Sequence, residues 1–112
     1  MNIVEKAGKT VIHYSNEPSR EGVKPCANYM YESLVSSKYD EIVCVVLTGM
    51  GADGTEGITN LKSKKKVHVI SQDEQSCIVY GMPRSVKRAG LSDQVVALDQ
   101  VAQEIILRVG VN

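Results

Sequence analysis

Residues 42–47 of this chain, Ile42-Val43-Cys44-Val45-Val46-Leu47, are apolar at every position. A strand with one wet face alternates. Six apolar residues in a row, most of them β-branched, describe instead a strand covered on both faces, as in the middle of a parallel sheet. The run passes directly into Thr48-Gly49-Met50-Gly51-Ala52-Asp53-Gly54, and a helix can begin at Thr55. Strand, glycine-rich turn and helix in that order bring backbone N–H groups to the C-terminal edge of a sheet. This one stretch predicts an α/β architecture and marks where its chemistry should lie.

The segments around it fit that architecture. Ile3-Val4-Glu5-Lys6 and Thr10-Val11-Ile12-His13-Tyr14 read as the two strands of a hairpin about Ala7-Gly8-Lys9. Gly8-Lys9-Thr10 ends like a phosphate-binding loop, but the glycine required five residues before Gly8 is replaced by Ile3, so the hairpin reading stands. Residues 15–24 are polar, carry Pro18 and Gly22, and read as a loop. A helix is expected from Pro25, with Cys26, Met30 and Leu34 on one face beside Ala27 and Tyr31. Past the glycine turn, Ile58 and Leu61 mark a second helix that runs out at Lys62-Ser63-Lys64-Lys65-Lys66. Those lysines suit the negative end of a helix dipole; docking of an acidic partner is the alternative reading.

Val67-His68-Val69-Ile70 is expected to pair in parallel with the first strand through a right-handed crossover. His68 then reads as a packed or edge histidine. Ser76 is placed to cap a short helix over residues 77–80. Gly81 should end that helix, and Pro83 should start another that closes with Lys87 and Arg88 before Gly90. Residues 94–98 read as a third parallel strand, with Asp99 capping a last helix that buries Val101, Ile105 and Val109. The order from residue 41 is β-α-β-α-β-α, hence a mainly parallel sheet flanked by helices and preceded by an N-terminal hairpin.

Length and charge narrow the function. A chain of 112 residues is one domain's worth and short for a complete α/β enzyme. Formal net charge is zero, which offers no general pull toward nucleic acid or an anionic membrane. No apolar run reaches membrane-spanning length, so membrane insertion is not expected. Cys26, Cys44 and Cys77 are odd in number and two lie in apolar surroundings, and no signal peptide is evident. They read as reduced thiols of a cytoplasmic protein. No cofactor and no metal site is expected.

Three readings compete at the turn. Gly49, Gly51 and Gly54 satisfy G-x-G-x-x-G, and Asp73 lies about twenty residues on, as a dinucleotide fingerprint asks. Against it, Asp53 places a carboxylate where a pyrophosphate should sit. Asp53 also reads as a helix N-cap, with Glu56 three residues on completing a capping box. The third reading makes Asp53 the acid of a hydrolytic triad, with turn amides left free for an oxyanion.

The turn as a whole, together with Gln72-Asp73-Glu74 and Ser76-Cys77-Ile78-Val79-Tyr80-Gly81-Met82-Pro83-Arg84 at their separation, resembles the C-terminal catalytic domain of the chemotaxis-specific protein-glutamate methylesterases. The resemblance implies hydrolysis of glutamyl methyl esters on methyl-accepting chemotaxis receptors by a Ser-His-Asp triad, with deamidation of receptor glutamines in some members. It implies that Asp53 is the triad acid, that the Met50 backbone N–H serves the oxyanion hole, and that Gly49, Gly51 and Gly54 support the turn. No G-x-S-x-G occurs in the sequence, and His13 and His68 do not match the family's catalytic histidine. The expectation is therefore a single domain over 1–112, with hairpin and loop over 1–24 and βα units over 25–112. It would form the C-terminal portion of a catalytic domain whose nucleophile-bearing half and receiver domain are its partners. The chain alone is expected to be inactive and to self-associate through an exposed sheet edge. A dinucleotide-binding module and a non-catalytic receptor-interaction domain remain the alternatives.

Overall fold

A computed structural model describes residues 1–14, 16–22 and 26–110. Strands β1 (Asn2–Lys6) and β2 (Lys9–His13) pair antiparallel with Lys6 opposite Lys9. Ala7 and Gly8 between them both have positive φ, 52° and 79°, the pair of left-handed residues that a tight two-residue hairpin demands. The Ile3 N–H donates to Ser33 Oγ at 2.7 Å, which ties the hairpin to the end of the first helix.

That helix, α1, spans Ala27–Ser33 and continues as one 3-10 turn, Leu34–Ser36. Its expected start at Pro25 lies outside the described residues. Cys26 and Tyr31 are buried, and Ala27, Met30 and Leu34 pack against the core, as the helical spacing predicts. The remaining elements are β3 (Glu41–Val46), α2 (Thr55–Lys62), β4 (Lys66–Gln72), α3 (Gly81–Arg88), β5 (Gln94–Val96) and α4 (Leu98–Val109). The strands β3, β4 and β5 form a parallel sheet in that order. Cys44, Val46 and Val69 share one face and meet Tyr31, Ile58, Leu61 and Val86 from α1, α2 and α3. On the other face Gln94 donates to Glu104 of α4 at 2.9 Å, which places α4 opposite the first three helices. Three layers result, with a mainly parallel sheet in the middle and the hairpin in front, as expected.

Several local expectations are corrected. The uninterrupted apolar strand β3 is an edge strand among the described residues, and β4 occupies the centre. No helix forms over residues 77–80, because the Val79 N–H donates to Thr48 Oγ1 (2.8 Å) while its carbonyl accepts from the Gly49 N–H (2.8 Å). One helical turn cannot compete with those long-range bonds. Gly81 starts α3 rather than ending a helix, since a Cβ there would lie 2.8 Å from the Gly51 nitrogen and 2.9 Å from the Gly49 oxygen. The residue is glycine because the turn lies against it. Ala97, not Asp99, occupies the N-cap position of α4, and the cap comes from afar: Leu98 N–H donates to Ser76 Oγ at 3.0 Å. The third strand is correspondingly short. Val101 is buried as expected, but Val109 is 51% exposed and lines an open pocket with Glu41, Ile42 and Val43 at the start of β3.

Candidate active site

The turn after β3 is held from three directions. Thr48 N–H donates to Gln72 Oε1 at 2.8 Å, the Gly49 carbonyl accepts from Met82 N–H at 2.8 Å, and Gly54 N–H donates to Asn28 Oδ1 at 3.1 Å. Gly51 and Gly54 have φ of 85° and 99°, a region in which a side chain would be strained. Gly49 lies under Met82, whose sulfur would be 2.6 Å from an added Cβ. Between these anchors the backbone N–H groups of Met50, Gly51, Ala52 and Asp53 make no hydrogen bond among the described residues. Met50 itself is 85% exposed. Consecutive free amides of this kind are what an oxyanion hole needs.

Asp53 is a cap, but not of the helix that follows it. Its carboxylate accepts from the N–H groups of Ala27 (2.7 Å) and Asn28 (3.0 Å), the first two residues of α1. Asn28 returns the favour: its Oδ1 accepts from Gly54 N–H and Gly57 N–H (2.7 Å), capping α2. Two helix N-termini thus cap each other through an aspartate and an asparagine. The expected Asp53–Glu56 capping pair is not formed. Glu56 instead reaches Arg20 at 3.0 Å, beside the Arg20–Glu32 ion pair. Gly57 makes the close approach of α1 and α2 possible, since a Cβ there would lie 2.7 Å from the Asn28 carbonyl oxygen. Nothing in the local pattern around Asn28 signals this role. It is fully buried, with Oδ1 used twice and Nδ2 without a partner.

Gln72 and Ser76 are the other residues whose part was not foreseen. Gln72, 1% exposed, accepts from Thr48 N–H and donates through Nε2 to the Ser76 carbonyl at 2.8 Å, joining the two signatures. Ser76 receives the α4 cap and donates from its own hydroxyl to Asp73 Oδ1 at 2.6 Å. Asp73 Oδ1 also accepts from the Ser76 N–H at 3.0 Å, so this oxygen closes the turn between β4 and α3.

The histidines stand apart from the turn. His13 is exposed on the hairpin, and half-buried His68 faces α4, its Nε2 2.7 Å from Gln94 Oε1. Neither hydrogen-bonds Asp53. The lysines at the end of α2 are largely internal fasteners. Lys62 reaches Asp93 and the Leu91 carbonyl, Lys65 the carbonyls of Ser37 and Tyr39, and Lys66 pairs with Glu41. Burial pushes the Cys44 thiol up to about 12 and, with the Asp73 charge beside it, also raises Cys77. Neither is set up as a nucleophile. No group of three or more metal-ligating side chains occurs among the described residues.

A family profile described as CheB methylesterase matches residues 1–105. The chain belongs to the CheB methylesterase family. It is 44% identical over 96 residues to a Desulfotalea psychrophila protein named protein-glutamate methylesterase/protein-glutamine glutaminase, covering 86% of this chain and 26% of that protein. A Vibrio parahaemolyticus protein of the same name is 39% identical over 110 residues, 98% of this chain and 30% of the other. The chain thus spans under a third of the length of these relatives. The crystal structure of the Thermotoga maritima CheB methylesterase catalytic domain superposes with a TM-score of 0.85 at 28% identity, covering 94% of this chain and 55% of that domain.

Proposed function

We propose that this segment contributes the acid and one oxyanion-hole donor to a protein-glutamate methylesterase that hydrolyses glutamyl methyl esters on chemoreceptors in the cytoplasm. The observation that carries the reading is the turn itself: the amide of Met50, an exposed residue, makes no hydrogen bond among the described residues and lies three residues from a carboxylate held in place by backbone N–H groups. In the reaction a serine hydroxyl attacks the ester carbonyl while a histidine takes its proton. Asp53 orients that histidine and stabilises its charged form, and the Met50 N–H receives the oxyanion of the tetrahedral intermediate. Collapse releases methanol, or ammonia when the substrate is a glutamine, and water then frees the glutamate. Neither the serine in its G-x-S-x-G setting nor a matching histidine occurs in residues 1–112, so both come from the remaining half of the catalytic domain, and this chain alone does not turn over.

The test has two arms. Purified chain is assayed for methanol release from methylated receptor, and no turnover is expected; hydrolysis abolished by Asp53→Ala would overturn that. In the whole enzyme containing this segment, Asp53→Ala should lower kcat by about 10⁴-fold with little change in KM, the scale on which a triad acid acts. A loss under tenfold would remove Asp53 from the catalytic role.

A further inference from the structure

Beside the turn lies an open cleft of about 510 Å³, lined by Gly51 and Ala52 on one side and by Gly81, Arg84, Ser85 and Arg88 of α3 on the other. Ala52 precedes Asp53, so the cleft adjoins the candidate acid. Arg84 and Arg88 are exposed and four residues apart, one above the other on α3, where like charges repel. No carboxylate lies within 4.0 Å of either guanidinium among the described residues, in contrast to Arg20, Lys62 and Lys66. Glu21 also lines the cleft without pairing with them. Two apolar residues in these signatures, Met50 of the turn and the 92% exposed Ile78, are also open to solvent. The protein as a whole is neutral, so this basic cleft is a local arrangement.

From this placement we infer that Arg84 and Arg88 dock carboxylates of the protein substrate next to the reacting ester, making them specificity-determining residues. A guanidinium grips a carboxylate through two parallel N–H donors, and two of them one helical turn apart match acidic residues spaced likewise on a helical segment. The inference rests on the methylesterase reading for the identity of the partner. The cleft adds a requirement of its own: the segment carrying the ester must bear neighbouring glutamates.

The probe is a helical peptide of about 20 residues with glutamates four apart, titrated by fluorescence anisotropy against the chain at low salt, beside the same peptide carrying glutamines. Arg84→Glu/Arg88→Glu should weaken binding of the glutamate peptide roughly tenfold, and added salt should do the same. Lys9→Glu/Lys64→Glu, with the same change in net charge at two exposed sites away from the turn, should leave affinity within about twofold. Equal binding of the glutamine peptide, or equal losses in both double variants, would overturn the docking role. Asp53→Ala in the whole enzyme reports separately: lost turnover with intact, arginine-independent peptide binding would sink the docking role alone, and arginine-dependent binding with undiminished turnover would sink the catalytic reading alone.

Discussion

Replacing Asn28 by alanine removes the acceptor shared by Gly54 and Gly57 and tests whether the mutual capping of α1 and α2 holds the turn. Both N–H groups donate to the same buried oxygen, at 3.1 and 2.7 Å, and the residue has no exposed surface. A buried donor left without a partner costs about 1–3 kcal/mol. With water able to enter the small space left behind, about 1–1.5 kcal/mol for each is appropriate, or about 2–3 kcal/mol together. The Asn28 Nδ2 is itself buried without a partner, and its removal returns on the order of 1 kcal/mol. The net loss is then about 1–2 kcal/mol, a substantial part of the stability of a small domain. Urea unfolding at constant m should show the midpoint falling by roughly 1 M for m of about 1.5 kcal/mol/M. A midpoint unchanged in Asn28→Ala would refute the capping role.

Gly57→Ala sets a methyl 2.7 Å from the Asn28 carbonyl oxygen and forces α1 and α2 apart. Despite alanine's better helix propensity, the variant should be destabilised by about 1–2 kcal/mol, read from thermal melts; a stabilised variant would mean that the helices separate freely. The hydrogen-bonded Arg20 guanidinium holds the Glu32 carboxyl below the usual carboxylate range, against the opposing effect of burial. The stability it contributes is full above the unfolded carboxylate value of about 4.3 and is lost as pH falls through the lower folded value. Arg20→Met should therefore be less stable than wild type at neutral pH, with the gap narrowing toward pH 3; a gap independent of pH in denaturant midpoints would contradict the pairing. The outer edge of β3 carries no strand among the described residues, and Leu47, Met50 and Ile78 are exposed nearby. Self-association is expected, and sedimentation showing only monomer at high concentration would count against it.

The sequence made legible what depends on short-range pattern. Most of the unbroken apolar run at 42–47 lies in β3, although Leu47 falls just past its end and is exposed; Ala7-Gly8 form the hairpin turn, and Ile58 and Leu61 enter the core at their helical spacing. The glycine spacing, with the signature from Gln72 to Arg84, pointed to the right family. Lost to local reading were the interactions that join distant segments. Capping rules look three residues ahead and match Asp53 with Glu56, while its actual partners are amides 26 and 25 residues upstream. Local pattern makes Ser76 the cap of a helix beside it, and it instead caps one that begins 22 residues later. Gly81 reads locally as a breaker, since nothing nearby reveals that another segment of backbone presses against it. Apolarity likewise reports that β3 wants cover, not what provides it.

The bonds from Asp53 to the start of α1 bear on how this corner of the fold can change over time. A carboxylate here closes the helix pair whether or not any histidine approaches its remaining lone pairs. A lineage that lost its serine would still be selected to keep the aspartate, because dropping it would loosen two helices. The aspartate at this corner is thus accounted for by architecture on its own, before any appeal to catalysis.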